Sequence, residues 1–287
     1  MAGWLAAVAA RAGARSRPES ALPTGARVER DLAYGTDPAQ QVDLYLPPGT
    51  FAPPLIVLVG GGAWSVGDKA TASTVGEKLA HWLPLGHAVA SIGYRRLPDA
   101  DPLEQAGDVA RALAFLQRRL GHEGRSPRDL VVVAHSSGAH LVALLAVDAS
   151  FTAAAGGEPW LASVLVDSAA LDVVGLMQGP HLPLHARAFG PAESAWRSAS
   201  PLHRLRGTPA PILLVHSSRR PLAGEQARAF AAAVRATGGR AEVLPVDLSH
   251  ADLNAALGRD GEYTARVDAF VRSVVAPGDG GAAPCNG

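Results

Sequence analysis

The sequence predicts an α/β fold: a mostly parallel central sheet with helices on both faces. Two observations carry this. Short apolar, β-branched runs alternate with longer segments of helical pattern along most of the chain, the order that builds parallel strands joined by right-handed helical crossovers. Several runs, among them 55–59 and 130–134, are apolar at every position rather than at every second one, as strands covered on both faces must be. The length agrees. A chain of 287 residues with 48% hydrophobic content can bury one large core, and α/β folds of this size commonly form one domain.

Taken in order, strands are expected at 28–34, 42–46, 55–59, 88–92, 130–134, 162–166, 212–216 and 241–246, and helices at 72–83, 103–120, 137–147, 224–237 and 262–275. The first two strands have no helix between them and read as antiparallel. Strand–helix alternation then takes over. The rhythm breaks between residues 172 and 206, where Pro180, Pro183, Pro191 and Pro201 interrupt short segments. This stretch lies between two expected sheet strands, where a small cap over a site would be inserted. The expected partition is a loosely helical or flexible segment over 1–25, one domain over 26–276, and a disordered tail over 277–287.

Composition narrows the function classes. Net charge is zero, so nothing draws the chain to nucleic acid or gives it stable membrane association. The apolar run at 3–10 is too short for a span, and its arginines (Arg11, Arg15, Arg17) follow it rather than precede it. A cytoplasmic protein is expected, with secretion through this run as the weaker alternative. The single cysteine, Cys285, cannot form an intrachain disulfide. The ten histidines are spread along the chain, and no metal or cofactor is expected. Neither a Gly-Lys-Ser/Thr loop nor a G-x-G-x-x-G pattern is present, which argues against nucleotide binding.

The most informative segment runs from Asp129 through Val131-Val132-Val133-Ala134-His135-Ser136-Ser137-Gly138 to Leu141. An apolar strand meets a small-residue turn and then an Ala/Leu-rich helix, with Ser136 at the apex. Such an elbow lifts one hydroxyl clear of the backbone and aims the following N–H groups at the same space, as a serine nucleophile and its oxyanion hole require. The usual pattern is G-x-S-x-G; here Ala134 takes the first place. The plainer reading makes Ser136 only a helix cap. A second strand, 55–59, ends in Gly60-Gly61-Gly62-Ala63-Trp64, and glycines let a backbone approach a ligand closely. In α/β-hydrolases the loop in this place supplies one oxyanion N–H and the residue after the nucleophile another. Gly61, Gly62 and Ser137 are therefore the expected oxyanion donors.

On these residues the chain resembles the serine esterases of the hormone-sensitive-lipase and feruloyl-esterase-like groups, whose loop reads H-G-G-A-W or H-G-G-G-W. Gly61, Gly62, Ala63 and Trp64 match, while Gly60 stands where those families have the histidine that braces the loop. Further blocks fit in order: Val42-Asp43-Leu44-Tyr45-Leu46-Pro47, Tyr94-Arg95-Arg96-Leu97-Pro98, Pro211 to His216, and Ser249-His250-Ala251-Asp252. The resemblance implies the α/β-hydrolase fold, a catalytic order of serine, acid, histidine, and His250 as general base. It places the acid just after the strand ending at His216. That stretch reads Ser217-Ser218-Arg219-Arg220-Pro221 and holds no Asp. Glu225 ranks first as the nearest carboxylate, Asp167 second because a strand-end residue is rigidly placed, and Asp247 third. The expected function is hydrolysis of a small-molecule carboxylic ester through an acyl-enzyme on Ser136. An arylformamidase-type amide hydrolase is one alternative, since kynurenine formamidases share the loop and elbow. A degenerate, non-catalytic hydrolase that binds a ligand or partner is the other, favoured by Gly60, Ala134 and the missing acid.

Overall fold

The computed structural model describes residues 22–275. Eight strands form one sheet: β1 (Arg27–Ala33), β2 (Gln41–Leu46), β3 (Ala52–Val59), β4 (His87–Ile92), β5 (Leu130–His135), β6 (Ala162–Val166), β7 (Ile212–Ser217) and β8 (Ala241–Val246). Their order across the sheet is β1-β2-β4-β3-β5-β6-β7-β8. β2 pairs antiparallel with β1 and β4, and every later pairing is parallel. The expected architecture is therefore the observed one. The apolar run at 3–10, the tail at 277–287 and Cys285 lie outside the described residues.

Strand chemistry explains the two covered faces. Along β3, Leu55, Val57 and Val59 enter one apolar cluster while Ile56 and Leu58 enter the other. Side chains alternate across a strand, so an uninterrupted apolar run is the only sequence that satisfies both layers. One layer is built from α2 (Pro102–His122), α3 (Ser137–Val147) and the long helix Pro221–Ala236; the other from α1 (Ala72–Trp82) and the C-terminal helix Glu262–Val275. α2 starts on a capping box, in which Asp101 accepts from the backbone of Leu103 and Glu104 and Glu104 answers to the Asp101 N–H. Such reciprocal bonds satisfy N–H groups that a helix start leaves open.

Several short helices have no counterpart in the sequence pattern. They are α4 (Ala149–Ala154), α5 (Val173–Gln178), α6 (Pro183–Phe189), α7 (Glu193–Ser198), α8 (Pro201–Arg204) and, after α9 (Pro221–Ala236), α10 (His250–Ala256); α11 (Glu262–Val275) coincides with the expected last helix. Segments of four to seven residues carry too few positions for a readable period. Two of the prolines read as interruptions prove to be helix starts: Pro183 opens α6 and Pro201 opens α8. Proline is tolerated at the first helical position because its missing N–H has no partner there anyway. α5 to α8 form the insertion between β6 and β7.

Beneath β4, a buried charge ties three segments together. Asp108 of α2 is fully buried and accepts from the Arg95 backbone N–H, from Arg95 Nε at 2.9 Å and Nη2 at 2.8 Å, from Gln40 Nε2 at 2.8 Å and from Arg111. Removing one partner from a buried pair leaves an uncompensated charge. Asp108→Ala should therefore cost about 2–4 kcal/mol in urea unfolding, the lower part of that range reflecting the partial exposure of Arg95. A loss under about 0.5 kcal/mol would show that the cluster is dispensable.

Candidate active site

β5 ends at His135, α3 begins at Ser137, and Ser136 between them adopts φ 57° and ψ −122°. A non-glycine residue in this region costs of order 1–3 kcal/mol and persists only where its surroundings hold it. Here the Ser136 N–H donates to the Val166 carbonyl at 2.8 Å, and the Ser136 carbonyl accepts from the His140 N–H at 3.2 Å. Gly138 is required by proximity, since a Cβ there would lie 2.4 Å from the Val59 carbonyl oxygen and 2.7 Å from that of Gly60. No such demand falls on Ala134. Its methyl is buried in the core, in register with Val59 and Leu165, so the elbow forms without a first glycine.

The strained turn presents Ser136 Oγ 3.0 Å from His250 Nε2, and His250 Nδ1 lies 2.6 Å from Asp167 Oδ2. His250 sits at the first position of α10, with Ser249 as N-cap accepting from the Asp252 N–H. Asp167 follows directly after β6 and also has positive φ, 55°. Its side chain is fully buried. Oδ1 accepts from the Ser217 N–H at 3.0 Å, and Oδ2 accepts from Arg220 Nη1 at 2.5 Å as well as from His250. Burial alone would raise the carboxyl pKa. The His250 and Ser217 hydrogen bonds and the Arg220 charge outweigh it and hold the group well below the usual carboxylate range.

Of the three carboxylates ranked from sequence, the structure brings Asp167, the second, to His250. Glu225 does not reach His250. It is exposed on α9, because Ala223, Gln226, Ala227 and Phe230 form that helix's buried stripe and Gln226 is committed to the chain leaving β6, accepting from the N–H groups of Leu171 and Asp172. Asp247 is exposed and pairs with Arg219 Nε at 2.7 Å. The stretch after β7, where the resemblance places the acid, presents Arg220 to the imidazole instead. Its Nη1 lies 2.9 Å from His250 Nδ1.

The glycine loop follows the same logic of close approach. A Cβ on Gly61 would sit 2.7 Å from both Ser136 Cβ and the His135 carbonyl oxygen, and one on Gly62, at φ 137°, would collide with the Val66 carbonyl. The N–H groups of Gly61, Gly62 and Ser137 have no acceptor among the described residues. Three other side chains brace the loop where Gly60 replaces a histidine. Tyr94 donates its hydroxyl to the Gly60 carbonyl at 2.7 Å, Gln105 Nε2 donates to the Trp64 carbonyl at 2.9 Å, and Trp64 Nε1 donates to His140 Nδ1 at 3.2 Å. His140 passes the brace onward through Nε2 to the Ala199 carbonyl in the insertion, 2.7 Å away. Both contacts require one neutral tautomer, and burial lowers this imidazole to about 4.

The insertion approaches the loop through His185 and Phe189, whose rings meet the Trp64 ring edge-on at 6.2 and 4.9 Å. His135 packs its ring against His250 at 4.6 Å and its Nε2 contacts the His250 carbonyl; burial, chiefly, lowers it to about 3, so it donates as a neutral ring. His216 is buried beside Gly224 rather than open to the site. His181 and His203 bond locally, to the Gly179 carbonyl and to Ser200. Among the described residues no group of three or more His, Cys, Asp or Glu side chains could hold a metal ion, and no helix is long and apolar enough to cross a membrane.

Several known proteins are similar to this chain. The BD-FAE family model matches residues 42–164, a stretch that contains the glycine loop and Ser136 but stops short of Asp167. Isoprenylcysteine alpha-carbonyl methylesterase ICME of Arabidopsis thaliana is 29% identical over 79% of this chain and 57% of its own length. A probable isoprenylcysteine alpha-carbonyl methylesterase, ICMEL1, of the same plant is 32% identical over 42% of this chain and 25% of its own. Esterase LipQ of Mycobacterium tuberculosis (strain ATCC 25618 / H37Rv) is 28% identical over 72% of this chain and 53% of its own. The chain thus spans between about a quarter and somewhat over half of these relatives. Among solved structures, inhibited esterase B from Lactobacillus rhamnosis superposes with a TM-score of 0.71 at 20% identity, over 94% of this chain and 95% of that one.

Linkage gives the site a signature in stability. A carboxylate with a folded pKa below its unfolded value of about 3.9 stabilises the fold above that value and loses its contribution as pH falls from there through the lower folded pKa. Wild type should carry on the order of 2 kcal/mol of stability that fades between about pH 5 and pH 2. Asp167→Asn should lack that component in urea unfolding across the same range. Parallel pH dependences for the two proteins would contradict the assigned environment of Asp167.

Proposed function

We propose that this chain, an α/β-hydrolase-fold protein of the serine esterase group, cleaves a small-molecule carboxylic ester through an acyl-enzyme on Ser136. One observation carries the reading: Ser136 Oγ, the His250 ring and the Asp167 carboxylate stand in a continuous chain of contacts at 3.0 and 2.6 Å, the reach that nucleophile, base and orienting acid require. With Nδ1–H donated to Asp167, His250 offers its bare Nε2 to the serine hydroxyl. Ser136 attacks the ester carbonyl as that proton moves to Nε2. The N–H groups of Gly61 or Gly62 and of Ser137 receive the developing oxyanion. His250 then returns the proton to the departing alcohol, and a water deprotonated by His250 attacks the acyl-enzyme, releasing the acid and restoring Ser136. Asp167 holds the ring's tautomer and stabilises the imidazolium without taking the proton itself.

The esterase names of the relatives support an ester over the arylformamide of the alternative reading. The non-catalytic alternative draws its force from a missing acid and an unbraced loop. Asp167 supplies a carboxylate at the base, and Tyr94, Gln105 and His140 brace the loop, so no observation favours it.

Incubation with a fluorophosphonate probe tests the reading. Wild type should be labelled and should hydrolyse p-nitrophenyl butyrate, while Ser136→Ala should do neither and still fold; retained turnover in that variant would sink the proposal. Ser137→Ala should be mild, because that residue's part is played by its backbone. Asp167→Asn should cut turnover by about three to four orders of magnitude, whereas Glu225→Gln should stay within twofold of wild type. Gly61→Ala should lose about two to three orders, since its methyl would press on Ser136.

A further inference from the structure

We propose that Arg220 is a positioning residue for the Asp167–His250 pair: it clamps the acid in the conformation that faces the base and fixes the imidazole tautomer that leaves Nε2 free for Ser136. This rests on the serine-hydrolase reading above and extends it to a residue outside the catalytic three.

The geometry is specific. Arg220 Nη1 reaches the Asp167 carboxylate Oδ2 at 2.5 Å and the Asp167 backbone carbonyl at 3.1 Å. One nitrogen thus grips both the side chain and the main chain of a residue held at φ 55°, a conformation that needs external support. The same nitrogen lies 2.9 Å from His250 Nδ1. A guanidinium is always protonated, so it cannot accept there. Its two N–H bonds are spent on the two Asp167 oxygens, and His250 Nδ1 must carry its own proton to share Oδ2. Arg220 therefore enforces the tautomer that leaves Nε2 free for Ser136. It also brings a positive charge to the edge of the ring that becomes an imidazolium during turnover, and it competes with that imidazolium for one carboxylate oxygen. The clamp and the charge are thus two distinct effects of one side chain.

The other ionisable groups around this pair come from different elements. His135 of β5 stacks on the ring in its neutral form, and Lys78 of α1 acts on His135. Tyr263 of α11 feels the Asp167 charge. His185 of the insertion feels the Arg220 charge. None of these touches Asp167 Oδ2, so a change at Arg220 is read directly by the pair.

Arg220→Gln and Arg220→Lys separate the two effects. The Gln variant should lose kcat by about tenfold, the rate equivalent of one charge-assisted hydrogen bond, with KM within twofold. The acid limb of its kcat/KM profile should move to higher pH by about half a unit, since a like charge some ångströms from the ring has gone. The Lys variant keeps the charge and should return the limb to near its wild-type position. The downfield proton resonance of His250 Nδ1–H, recorded on the same proteins, reads the pair without reference to turnover and should shift or broaden in the Gln variant. An altered resonance in a protein whose wild type takes no fluorophosphonate would uphold the clamp and sink the esterase reading. A Gln variant with unchanged resonance, kcat and acid limb would overturn the proposal, and so would a change confined to KM, which would make Arg220 a substrate-binding residue.

Discussion

A buried carboxylate sets the terms of this site. Asp167 is fully buried, and an ionised group taken out of water must be surrounded by donors or give up its charge. Three segments converge to supply them: the β7 backbone at Ser217, the turn before α9 at Arg220 and the start of α10 at His250, while the Asp167 N–H itself donates to the Val215 carbonyl of β7 at 2.7 Å. The sheet order makes this convergence affordable in geometry, because β6 lies between β5, which carries the serine, and β7, which carries the donors. The parallel strands end at one edge, so three chain segments far apart in sequence arrive within hydrogen-bond reach of one another.

That edge is also where the backbone is most strained. Ala63, Trp64, Ser136 and Asp167 all have positive φ without being glycine, and they follow β3, β5 and β6. Three of them are held by specific contacts: Trp64 by Gln105, Leu97 and His140, Ser136 by Val166 and His140, and Asp167 by Val215 and Arg220. The apolar layers on both faces of the sheet provide the rigidity that keeps such turns in place. His140 has a part in two of them and also reaches the insertion through Ala199, so the glycine loop, the elbow and the cap are coupled through one neutral imidazole.

What could be read from the sequence was local. Ser136 stood out because a strand, a turn and a helix within thirteen residues define an elbow, and Gly61 and Gly62 because a strand ended in glycines. The strands were legible because burial on both faces leaves an unmistakable apolar run. The carboxylate that faces His250 was not, because that depends on which strand ends lie beside each other. The nearest carboxylate to the resembling block, Glu225, is one helical turn too far along and on the wrong face, while Asp167 is remote in sequence from His250 and adjacent in space. A usable signal was present: Asp167 closes the apolar strand 162–166 with a charge, and a carboxylate at that end of a covered strand needs partners. The bracing of the loop was hidden for the same reason, since Tyr94, Gln105 and His140 replace one missing histidine from three different elements. The cap helices escaped because they are short and two of them begin with the prolines that appeared to break them.

The position of the oxyanion decides whether this site can carry out acyl transfer. A crystal structure of the protein inactivated with a short-chain phosphonate tests it. The phosphorus should be bonded to Ser136 Oγ, and the phosphonyl oxygen should lie about 3 Å from the N–H of Gly61 or Gly62 and from that of Ser137, with His250 Nδ1 still on Asp167. An adduct on another residue, an oxygen facing backbone carbonyls in the glycine loop, or an imidazole turned away from Asp167 toward a different carboxylate would contradict it.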